Sequence, residues 1–515
     1  MIRRLGRRDK DADGRFAEPP WNRSSPPWQQ IDARLPSHHV ARQIGELVDQ
    51  LDLGSLFGSY WGRGSKAHRP DLLLKMVLYE IQCGKPSPAE WHRDLRENEV
   101  VKWLVFGIQP CRAAVYEFRD RLADYWDQWN AQVLQMAQQP GVTIGERGAL
   151  DGSLMAALAS RHKLTNQKTL EGRIGELNKV VAADEQGTVR EATPAWMANH
   201  PQSRAQQRKR YRHAQARMKE LQEQNQKRPS SKRKKPEKIV LSLGDPEAAI
   251  GRDKLKVFRP LYNTQLIYDL DCAMITAYDV YPWQNDAGTM EPMLERQSDM
   301  LGSKPEKLLA DSGYAGGPDV AVCHQHGVTL YAPVSENDFS QSKQSGKGPP
   351  QIPKSEFTWL AEEQTYACPE GHRLFPRSTA QIWHFGDRTT LQTTYRCPAK
   401  YCAACPRQGS CTSNPRSGRT ITRREHEDLI ESLRQRMETP EAKQLYRLRR
   451  QTVELRYADM KEHRNLQRFA GRGLRRAKAQ VAATVLAHNL LALTRIEFPE
   501  GKAPVPARIP EKIPP

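Results

Sequence analysis

The sequence predicts an α/β protein in which a mixed sheet is flanked by helices, preceded by an all-α domain and interrupted by a small cysteine-rich insertion. Apolar residues recur at intervals of three and four over residues 40–139, which is typical of short helices. Over residues 143–334, runs rich in β-branched and aromatic residues alternate with a helical pattern, which indicates a mixed sheet. Five of the nine cysteines lie within residues 368–411, and they mark the insertion.

The composition indicates a polar, strongly basic protein of about two to four domains. The chain has 515 residues, a mean hydropathy of −0.75 and a net charge of +19. Such an excess of cations favours a polyanionic partner, and nucleic acid is the first candidate. Residues 481–493 are too short and too polar to span a bilayer, and the N-terminus lacks the apolar core of a signal peptide. We therefore expect a cytoplasmic protein with no membrane partner.

Changes of pattern divide the chain into six segments. We predict a disordered basic and Pro-rich arm, a helical domain, the first part of an α/β core, the cysteine-rich insertion, the C-terminal helices of the core and a disordered tail. In this order, the segments are residues 1–36, 37–140, 141–340, 341–425, 426–496 and 497–515.

Two segments of the helical domain suggest a helix-turn-helix arrangement. Pro88-Ala-Glu-Trp91 begins one helical pattern, and residues 112–121 form another that carries Arg112 and Arg119. In such an arrangement the second helix lies in a groove of DNA, so these two arginines are candidate DNA contacts. Any small helical bundle has the same periodicity, and only the basic character of the chain favours DNA.

Residues 201–238 form a basic insertion in the α/β core. They contain fourteen Lys and Arg against three Glu. This composition predicts a segment without a core of its own, either simply solvated or able to hold a phosphate backbone.

The core itself follows from a succession of strand and helix patterns. Residues 261–268 and 273–281 predict antiparallel neighbours, and a helix over residues 289–301 leads into a short apolar run that ends at Asp311. A further strand is expected over residues 328–334.

Three acids are the candidate catalytic residues. Asp311 and Asp151 each follow a predicted strand, and Glu454 lies on a predicted helix. Carboxylates are the hard oxygen ligands that Mg²⁺ prefers, so the three acids suggest a metal site for phosphodiester chemistry. The alternative for Asp311 is a turn in which it bonds its own backbone through Ser312 and Gly313.

A long helix over residues 441–464 would carry Glu454. Tyr446, Arg450 and Glu454 are spaced by four and Lys461 lies seven further on, which predicts that all four share one helix face. The alternative is a solvated face of salt bridges. Arg449 lies next to Arg450, and the spacing does not decide which arginine matters.

Residues 40–495 resemble an insertion-sequence transposase of the DDE superfamily, whose catalytic domain has an RNase H-like fold. Short motifs in the family's order carry the resemblance: residues 69–75 and 118–122, Leu150-Asp-Gly-Ser153, 245–248, 262–265, Asn285-Asp286, Ala310-Asp-Ser-Gly-Tyr314, Val453-Glu454, Arg472-Gly473 and Asn489-Leu490.

The resemblance implies that Asp151, Asp311 and Glu454 bind two Mg²⁺ or Mn²⁺ ions, with Arg450, Lys461 and Tyr446 as DNA contacts. Three residues separate Tyr446 from Arg450, whereas related transposases commonly have two. The implied partners are double-stranded DNA, both element ends and target, and a second copy of the chain in a homodimer. The implied activity is cleavage and strand transfer. The alternatives are a DNA-binding repressor without catalysis and an RNase H-like nuclease.

The cysteines predict a structural zinc site of the zinc-ribbon kind. Cys402-Ala-Ala-Cys405 has the spacing of a zinc knuckle, and Cys368 with Cys397 supplies the other half. Cys411 or His372 could replace one of these ligands. The alternative is a set of free thiols.

Overall fold

The computed structural model describes residues 15–61, 65–139, 141–187, 193–334, 352–383, 388–412 and 414–496. Residues 1–14 of the expected arm and the expected tail, residues 497–515, lie outside this part. The helices are α1 (Pro26–Arg34), α2 (Val40–Val48), α3 (Gly54–Gly58), α4 (Pro70–Gln82), α5 (Pro88–Glu97), α6 (Glu99–Leu104), α7 (Arg112–Leu122), α8 (Trp126–Ala137), α9 (Gln167–Glu185), α10 (Pro201–Gln226), α11 (Met290–Leu301), α12 (Gly317–Gln325), α13 (Ala399–Ala403), α14 (Gln408–Cys411), α15 (Glu427–Glu438), α16 (Pro440–Gln451), α17 (Val453–Glu462) and α18 (Leu474–Leu493).

The strands form three separate sheets in the described part of the chain. They are β1 (Arg147–Ala156), β2 (Leu164–Thr165), β3 (Leu241–Ser242), β4 (Ala249–Arg252), β5 (Phe258–Asp269), β6 (Ile275–Tyr281), β7 (Lys307–Leu309), β8 (Thr329–Tyr331), β9 (Thr358–Leu360), β10 (Thr365–Ala367), β11 (Arg373–Trp383), β12 (Thr389–Arg396) and β13 (Thr420–Arg424).

The N-terminal domain is a helical bundle, α1 to α8, as predicted. Its short helices begin at suitable caps: the Ser87 side chain accepts from the backbone N–H of Ala89 at α5, and Asn98 caps α6 in the same way. Helix α7 is the candidate second helix of the helix-turn-helix arrangement. It packs on α5, and α6 lies between these two helices in the sequence.

The predicted disordered arm is wrong for residues 15–36. Helix α1 lies within this segment and buries Ile31, and the indole N–H of Trp28 donates to the carbonyl of Trp103 at 3.1 Å. Phe16 is buried and forms a parallel bridge with Ala67. The scattered aromatic residues of this segment have no period of their own because they pack singly into a core built by other helices.

The central sheet has six strands and mixed direction, as the sequence predicts. Strands β6, β5 and β1 are antiparallel neighbours, and β7 and β8 continue from β1 in parallel. Strand β4 shares the free edge of β5 with β6. The order β6–β5–β1–β7–β8 is consistent with the RNase H-like fold that the resemblance implies.

The two faces of the sheet meet different helices. Ala149 and Leu266 belong to the apolar core that includes α18 and the N-terminal bundle, whereas Leu150 and Ile267 belong to the core formed with α11, α12 and α15. This alternation follows from the period of two in a strand. Neighbouring residues of β1 therefore face opposite layers.

The basic insertion is a helical hairpin and has a core, so the prediction that it has none is wrong. Helices α9 and α10 pack against each other around an apolar cluster that includes Leu177, Tyr211 and Met218. Strands β2 and β3 close the base of this hairpin as a short antiparallel pair. We call α9, α10 and the segment to Lys238 the basic arm.

The cysteine-rich insertion contains a five-stranded antiparallel sheet in the order β13–β12–β11–β10–β9. It is larger than the small ribbon that the sequence predicts. The ammonium of Lys354 and the carboxylate of Glu427 form a buried ion pair where this sheet joins α15. Among the described helices, none combines the length and hydropathy needed to cross a membrane.

Helix α18 joins the N-terminal bundle to the central sheet. The side-chain amide of Asn489 pairs with the backbone of Ile275 in both directions, each bond 2.9 Å long. Asn130 of α8 donates to the carbonyl of Ala482 at 3.1 Å, and its amide also lies 3.1 Å from the hydroxyl of Tyr278 on β6. The bundle and the sheet are therefore tied through buried polar bonds as well as apolar packing.

Replacing Asn489 by Ala should lower the stability of this junction by about 2–4 kcal/mol, because it leaves the N–H and C=O of Ile275 buried without partners. Urea unfolding followed by tryptophan fluorescence measures the loss. Gln224→Ala, an exposed position on α10, is the control and should change stability by less than about 0.5 kcal/mol. Equal midpoints for the two variants would contradict this role of Asn489.

Candidate functional site

The parallel pairing of β1 and β7 brings two of the predicted acids together. Ala149 is the register partner of Leu309, and both belong to the core on the α18 face. Asp151 and Asp311 each lie two residues further, so they share that face at the end of the ladder. Asp311 follows its strand, as predicted. Asp151 does not end a strand, because β1 continues beside β5 to Ala156.

Asp311 also forms the turn that was the alternative reading. Its Oδ1 accepts the backbone N–H of Gly313 at 2.7 Å and caps the 3-10 turn Ser312–Tyr314. This bond uses one carboxylate oxygen and fixes the direction of the side chain. The turn and the acid site are therefore compatible.

Arg449 joins the first acid to the third. Its Nη2 lies 2.9 Å from Oδ1 of Asp151, and its Nη1 lies 2.6 Å from Oε1 of Glu454. The Arg449 side chain is 10% exposed and that of Asp151 is 14% exposed. Burying a guanidinium requires such paired acceptors, so one cation holds the two carboxylates at one point.

The predicted single helix face does not exist, because the helix is broken at Thr452. Helix α16 ends at Gln451 and α17 begins at Val453, with Thr452 at φ −118° and ψ −97°. Arg449, in the last turn of α16, contacts the acids, whereas Arg450 is exposed. The spacing left both arginines as candidates, and Arg449 is the one that contacts Asp151 and Glu454.

Tyr446 lies near the same group of charges. Burial raises the pKa of its hydroxyl, the Arg449 guanidinium opposes that rise, and Asp311 and Glu454 add to it. Two residues separate Tyr446 from Arg449, whereas three separate it from Arg450. Asp311 thus contributes to the electrostatics of the same group of charges.

The charge state of Asp151 is set by its surroundings. Burial raises its pKa to about 6, the Arg449 guanidinium and the Gly152 N–H oppose this rise, and Asp311 adds to it. A carboxyl with this pKa loses its proton readily when a further cation arrives. Such perturbed acids are typical of functional sites.

Helix α17 is fixed on the sheet by two side chains that follow Glu454. The hydroxyl of Tyr457 donates to the carbonyls of Asp151 and Thr264, at 3.0 and 2.7 Å. The Lys461 ammonium donates to Oγ of Ser153 at 2.6 Å. The sequence analysis singled out Lys461 but missed Tyr457 and Ser153. The available signal for Tyr457 was its spacing of four residues from Val453, which is typical of the apolar face of a helix.

A second polar network lies behind β1 and supports the Asp311 turn. Oδ1 of Asp286 accepts from Asn263 at 2.9 Å and from Gln265 at 2.6 Å, and Tyr314 donates to Gln265 at 2.6 Å. A Cβ atom at Gly152 would overlap Asp286 and Gln265. These residues belong to motifs quoted for the resemblance, and the structure assigns them a supporting role.

The acid site has the ligand chemistry of a magnesium centre without its closed geometry. Within the described residues, no three Asp, Glu, His or Cys side chains are gathered closely enough to hold a metal ion. The oxygen donors Asp151 and Glu454 instead surround the Arg449 guanidinium. They already neutralise one cation, and hard oxygen donors of this kind suit Mg²⁺ or Mn²⁺.

The insertion gathers its cysteines around one small cavity of about 20 Å³. Its lining includes Cys368, His372, Cys397, Cys402, Cys405 and Cys411. The Sγ of Cys402 accepts the backbone N–H of Arg419 at 3.3 Å, and burial with the neighbouring thiol of Cys402 raises the pKa of Cys397 to about 12. The thiols line one cavity, but among the described residues no three of them lie close enough to hold a metal ion, and zinc coordination is not confirmed.

The two candidate arginines of α7 have different environments. Arg112 is exposed at the start of the helix, and its guanidinium lies 5.7 Å from the ring centre of Tyr116. Arg119 is largely covered and pairs with Asp120 at 2.7 Å. Asp120 also pairs with Arg476 of α18 at 2.7 Å, so Arg119 lies beside the junction with the core.

Two protein families match the chain. Residues 367–494 match a family described as a transposase DDE domain, and residues 29–121 match a transposase domain (DUF772). The first match contains Glu454 and the five clustered cysteines, and the second contains Arg112 and Arg119. A search of the curated proteins finds no match.

Replacing Arg449 by Met should lower the free energy of unfolding on the order of 3 kcal/mol near pH 8, because Asp151 and Glu454 lose their shared counter-charge. The loss should shrink near pH 5, where Asp151 holds a proton because its pKa lies at about 6 or higher. Urea unfolding at the two pH values measures both effects.

Arg450→Met is the matched control for this variant, since the neighbouring arginine is exposed. It should change the free energy of unfolding by less than about 0.5 kcal/mol at either pH. Equal losses for the two variants would show that Arg449 has no special place in the site.

Proposed function

Since the chain belongs to the insertion-sequence transposases of the DDE superfamily by its two transposase domains, we propose that it binds the terminal inverted repeats of its element and catalyses their cleavage and strand transfer. The observation that carries the proposal is the contact of Asp151 and Glu454 with one buried cation, Arg449. Asp311 shares the same sheet face, two residues beyond the β1–β7 ladder. A binding protein has no need of such an arrangement.

The three acids are the proposed ligands of two Mg²⁺ or Mn²⁺ ions. Asp151 and Asp311 would hold the ions together with Glu454, which could alternatively position the nucleophile. When bound, the metal pair supplies activation of the attacking oxygen and stabilisation of the leaving oxygen. Glu454, at 43% exposure, lies on the open side where a substrate phosphate can approach.

Arg449 has a further part in this proposal. Its guanidinium keeps the two carboxylates together in the free protein. Without this cation, the repulsion between the unpaired acids would oppose their approach. When those carboxylates hold metal, the Arg449 guanidinium would be available to bind a phosphate oxygen, for which its fork geometry is suited. Tyr446, Arg450 and Lys461 are proposed as neighbouring DNA contacts.

The basic arm is proposed to hold the phosphate backbone of bound DNA. On α10, Arg204 and Arg208 pair with Asp184 and Glu185 of α9, at 2.5 and 3.3 Å, and so stabilise the hairpin. The exposed side of α10 carries Lys209, Arg210 and Arg212. A rigid helix with cations on its outer face binds phosphates at a smaller entropic cost than a coil.

Further contacts are proposed for the N-terminal bundle and for a second subunit. Arg112 and Arg119 on α7 would contact the inverted repeats, and a homodimer would bring two ends together. The cysteine cavity is proposed to take a structural Zn²⁺, with Cys368, Cys397, Cys402 and Cys405 as ligands and Cys411 or His372 as the alternatives. Zinc there would stabilise the inserted sheet and take no part in the chemistry.

Replacing Asp311 by Asn should reduce cleavage and joining of element-end DNA by about a thousandfold or more, since the variant loses a ligand whose metal stabilises the transition state by several kcal/mol. Gel analysis of a labelled duplex carrying the element end, with Mg²⁺ and target DNA, measures both products. Asp299→Asn, an exposed acid on α11, is the matched control and should keep full activity.

The same assay separates the alternatives. An Asp311→Asn protein that still cleaves and joins would reject the proposal. A wild-type protein that binds the duplex without cutting it would be a repressor, and one that cuts without joining would be a nuclease.

Binding of Mg²⁺ should release about half a proton near pH 6 and almost none near pH 8, because Asp151, with a pKa of about 6, must be ionised to bind metal. Metal affinity should therefore fall about tenfold for each pH unit below 6. Calorimetric titration in buffers of different ionisation enthalpy measures the protons. Release of the same amount by Asp151→Asn would contradict the assignment.

A further inference from the structure

Successive polar contacts join α17 to β1, about one helical turn apart. In the first, the Arg449 guanidinium links Glu454 to Asp151. In the second, the hydroxyl of Tyr457 lies 3.0 Å from the backbone carbonyl oxygen of Asp151. In the third, the Lys461 ammonium donates to a serine hydroxyl on β1 at 2.6 Å. The first and third contacts are made by cations, whereas the second is made by a neutral group.

The Tyr457 contact binds two strands at the position of the first acid. The hydroxyl lies 2.7 Å from the carbonyl oxygen of Thr264 on β5, as well as within reach of the Asp151 carbonyl on β1. Gly152 and Gln265 are the register partners between these two carbonyls. Tyr457 is only 5% exposed, so its single O–H is satisfied by the backbone of the sheet.

This hydrogen bond leaves the carboxylate of Asp151 available. Oδ1 of Asp151 accepts the backbone N–H of Gly152 and lies 2.9 Å from Nη2 of Arg449. Both of these contacts use a carboxylate oxygen of the kind that binds a metal ion. The carbonyl that faces Tyr457 is a separate oxygen. The Tyr457 hydrogen bond is therefore compatible with a metal ion on the carboxylate.

The two cationic contacts would change under the proposed function. When the carboxylates hold metal, the Arg449 guanidinium would turn to a phosphate oxygen, and Lys461 is itself a proposed DNA contact. Each cation would then leave its partner on β1. The contact of Tyr457 with the backbone is the one of the three for which neither metal nor phosphate competes.

We propose that Tyr457 is a positioning residue that keeps Glu454 within reach of Asp151 while both carboxylates hold metal. The proposal rests on the function proposed above and adds how the third acid stays in place when Arg449 no longer joins it to the first. The ring of Tyr457 packs in the same apolar core as Val453 and Met460. Apolar packing is not directional, whereas a hydrogen bond is, so the hydroxyl fixes where α17 lies along β1. A displacement of this helix would move the Glu454 carboxylate with it.

The test uses the full chain with Tyr457→Phe, which keeps the ring and removes the hydroxyl. Tyr262→Phe is the matched control: Tyr262 is also buried, and its hydroxyl donates to Oδ1 of Asp245 at 2.7 Å. The urea midpoints of the two variants should fall by similar amounts, since each loses one buried hydrogen bond. The probe is Mn²⁺ alone, without DNA, and its binding is read from the electron paramagnetic resonance signal of the free ion.

Tyr457→Phe should weaken Mn²⁺ binding about tenfold, which corresponds to about one hydrogen bond. Tyr262→Phe should change the affinity by less than about twofold. The same Tyr457→Phe substitution is then made in a Glu454→Gln background. There it should also change the affinity by less than about twofold, because the carboxylate that Tyr457 positions is already absent.

The other outcomes overturn the positioning role. An equal loss of Mn²⁺ affinity in the presence and absence of the Glu454 carboxylate would make Tyr457 a purely structural residue. Equal effects of Tyr457→Phe and Tyr262→Phe would do the same, and so would a wild-type protein that binds no Mn²⁺.

Cleavage of element-end DNA tests the proposed function separately. If the effect of Tyr457→Phe on Mn²⁺ binding depends on Glu454 but the wild type does not cut DNA, the proposed function is overturned and the positioning role stands. If the wild type cuts DNA but its Mn²⁺ affinity does not respond to Tyr457→Phe, the positioning role is overturned and the proposed function stands.

Discussion

The site depends on one buried cation held between two carboxylates. Asp151 and Glu454 come from distant parts of the chain, and the burial of Asp151 would be unfavourable without the Arg449 guanidinium that touches both carboxylates. Arg449 lies near the end of α16 and Glu454 near the start of α17, on either side of the break at Thr452. Asp151 lies on β1, on the sheet face that it shares with Asp311. Local helix geometry and sheet register therefore meet in a single electrostatic constraint.

Sequence patterns within single elements predicted much of this fold. The features that they did not predict depend on contacts between elements. The antiparallel pair β5–β6, the helix α11 and the position of Asp311 follow from local periodicity and are confirmed. Asp151 was expected at a strand end, but β1 extends further because β5 pairs with it to Ala156, while its parallel partner β7 is short. The sequence of one strand does not tell how far each neighbour runs.

The choice between Arg449 and Arg450 likewise depends on contacts beyond a single element. Spacing along an unbroken helix put Arg450 on one face with Tyr446 and Glu454, but it did not decide between Arg450 and the neighbouring Arg449. The dihedral angles of Thr452 break the helix and change that relation, and α17 is held on β1 and β5 by long-range contacts such as those of Tyr457. For the basic arm, the charge count concealed an apolar stripe that becomes a core only when α9 packs against it.

Helix α18 fixes the N-terminal bundle relative to the central sheet. Its buried residues contact the N-terminal bundle and the central sheet together, and the paired Asn489 and Asn130 bonds fix both sides. Ion pairs of Arg475 and Arg476 with Asp124 and Asp120 continue this junction to the surface. A junction made of buried polar bonds and close packing does not slide freely. Under the proposed function, DNA bound by the bundle therefore has a fixed position relative to the acids, and the choice of the cleaved phosphate follows from that geometry.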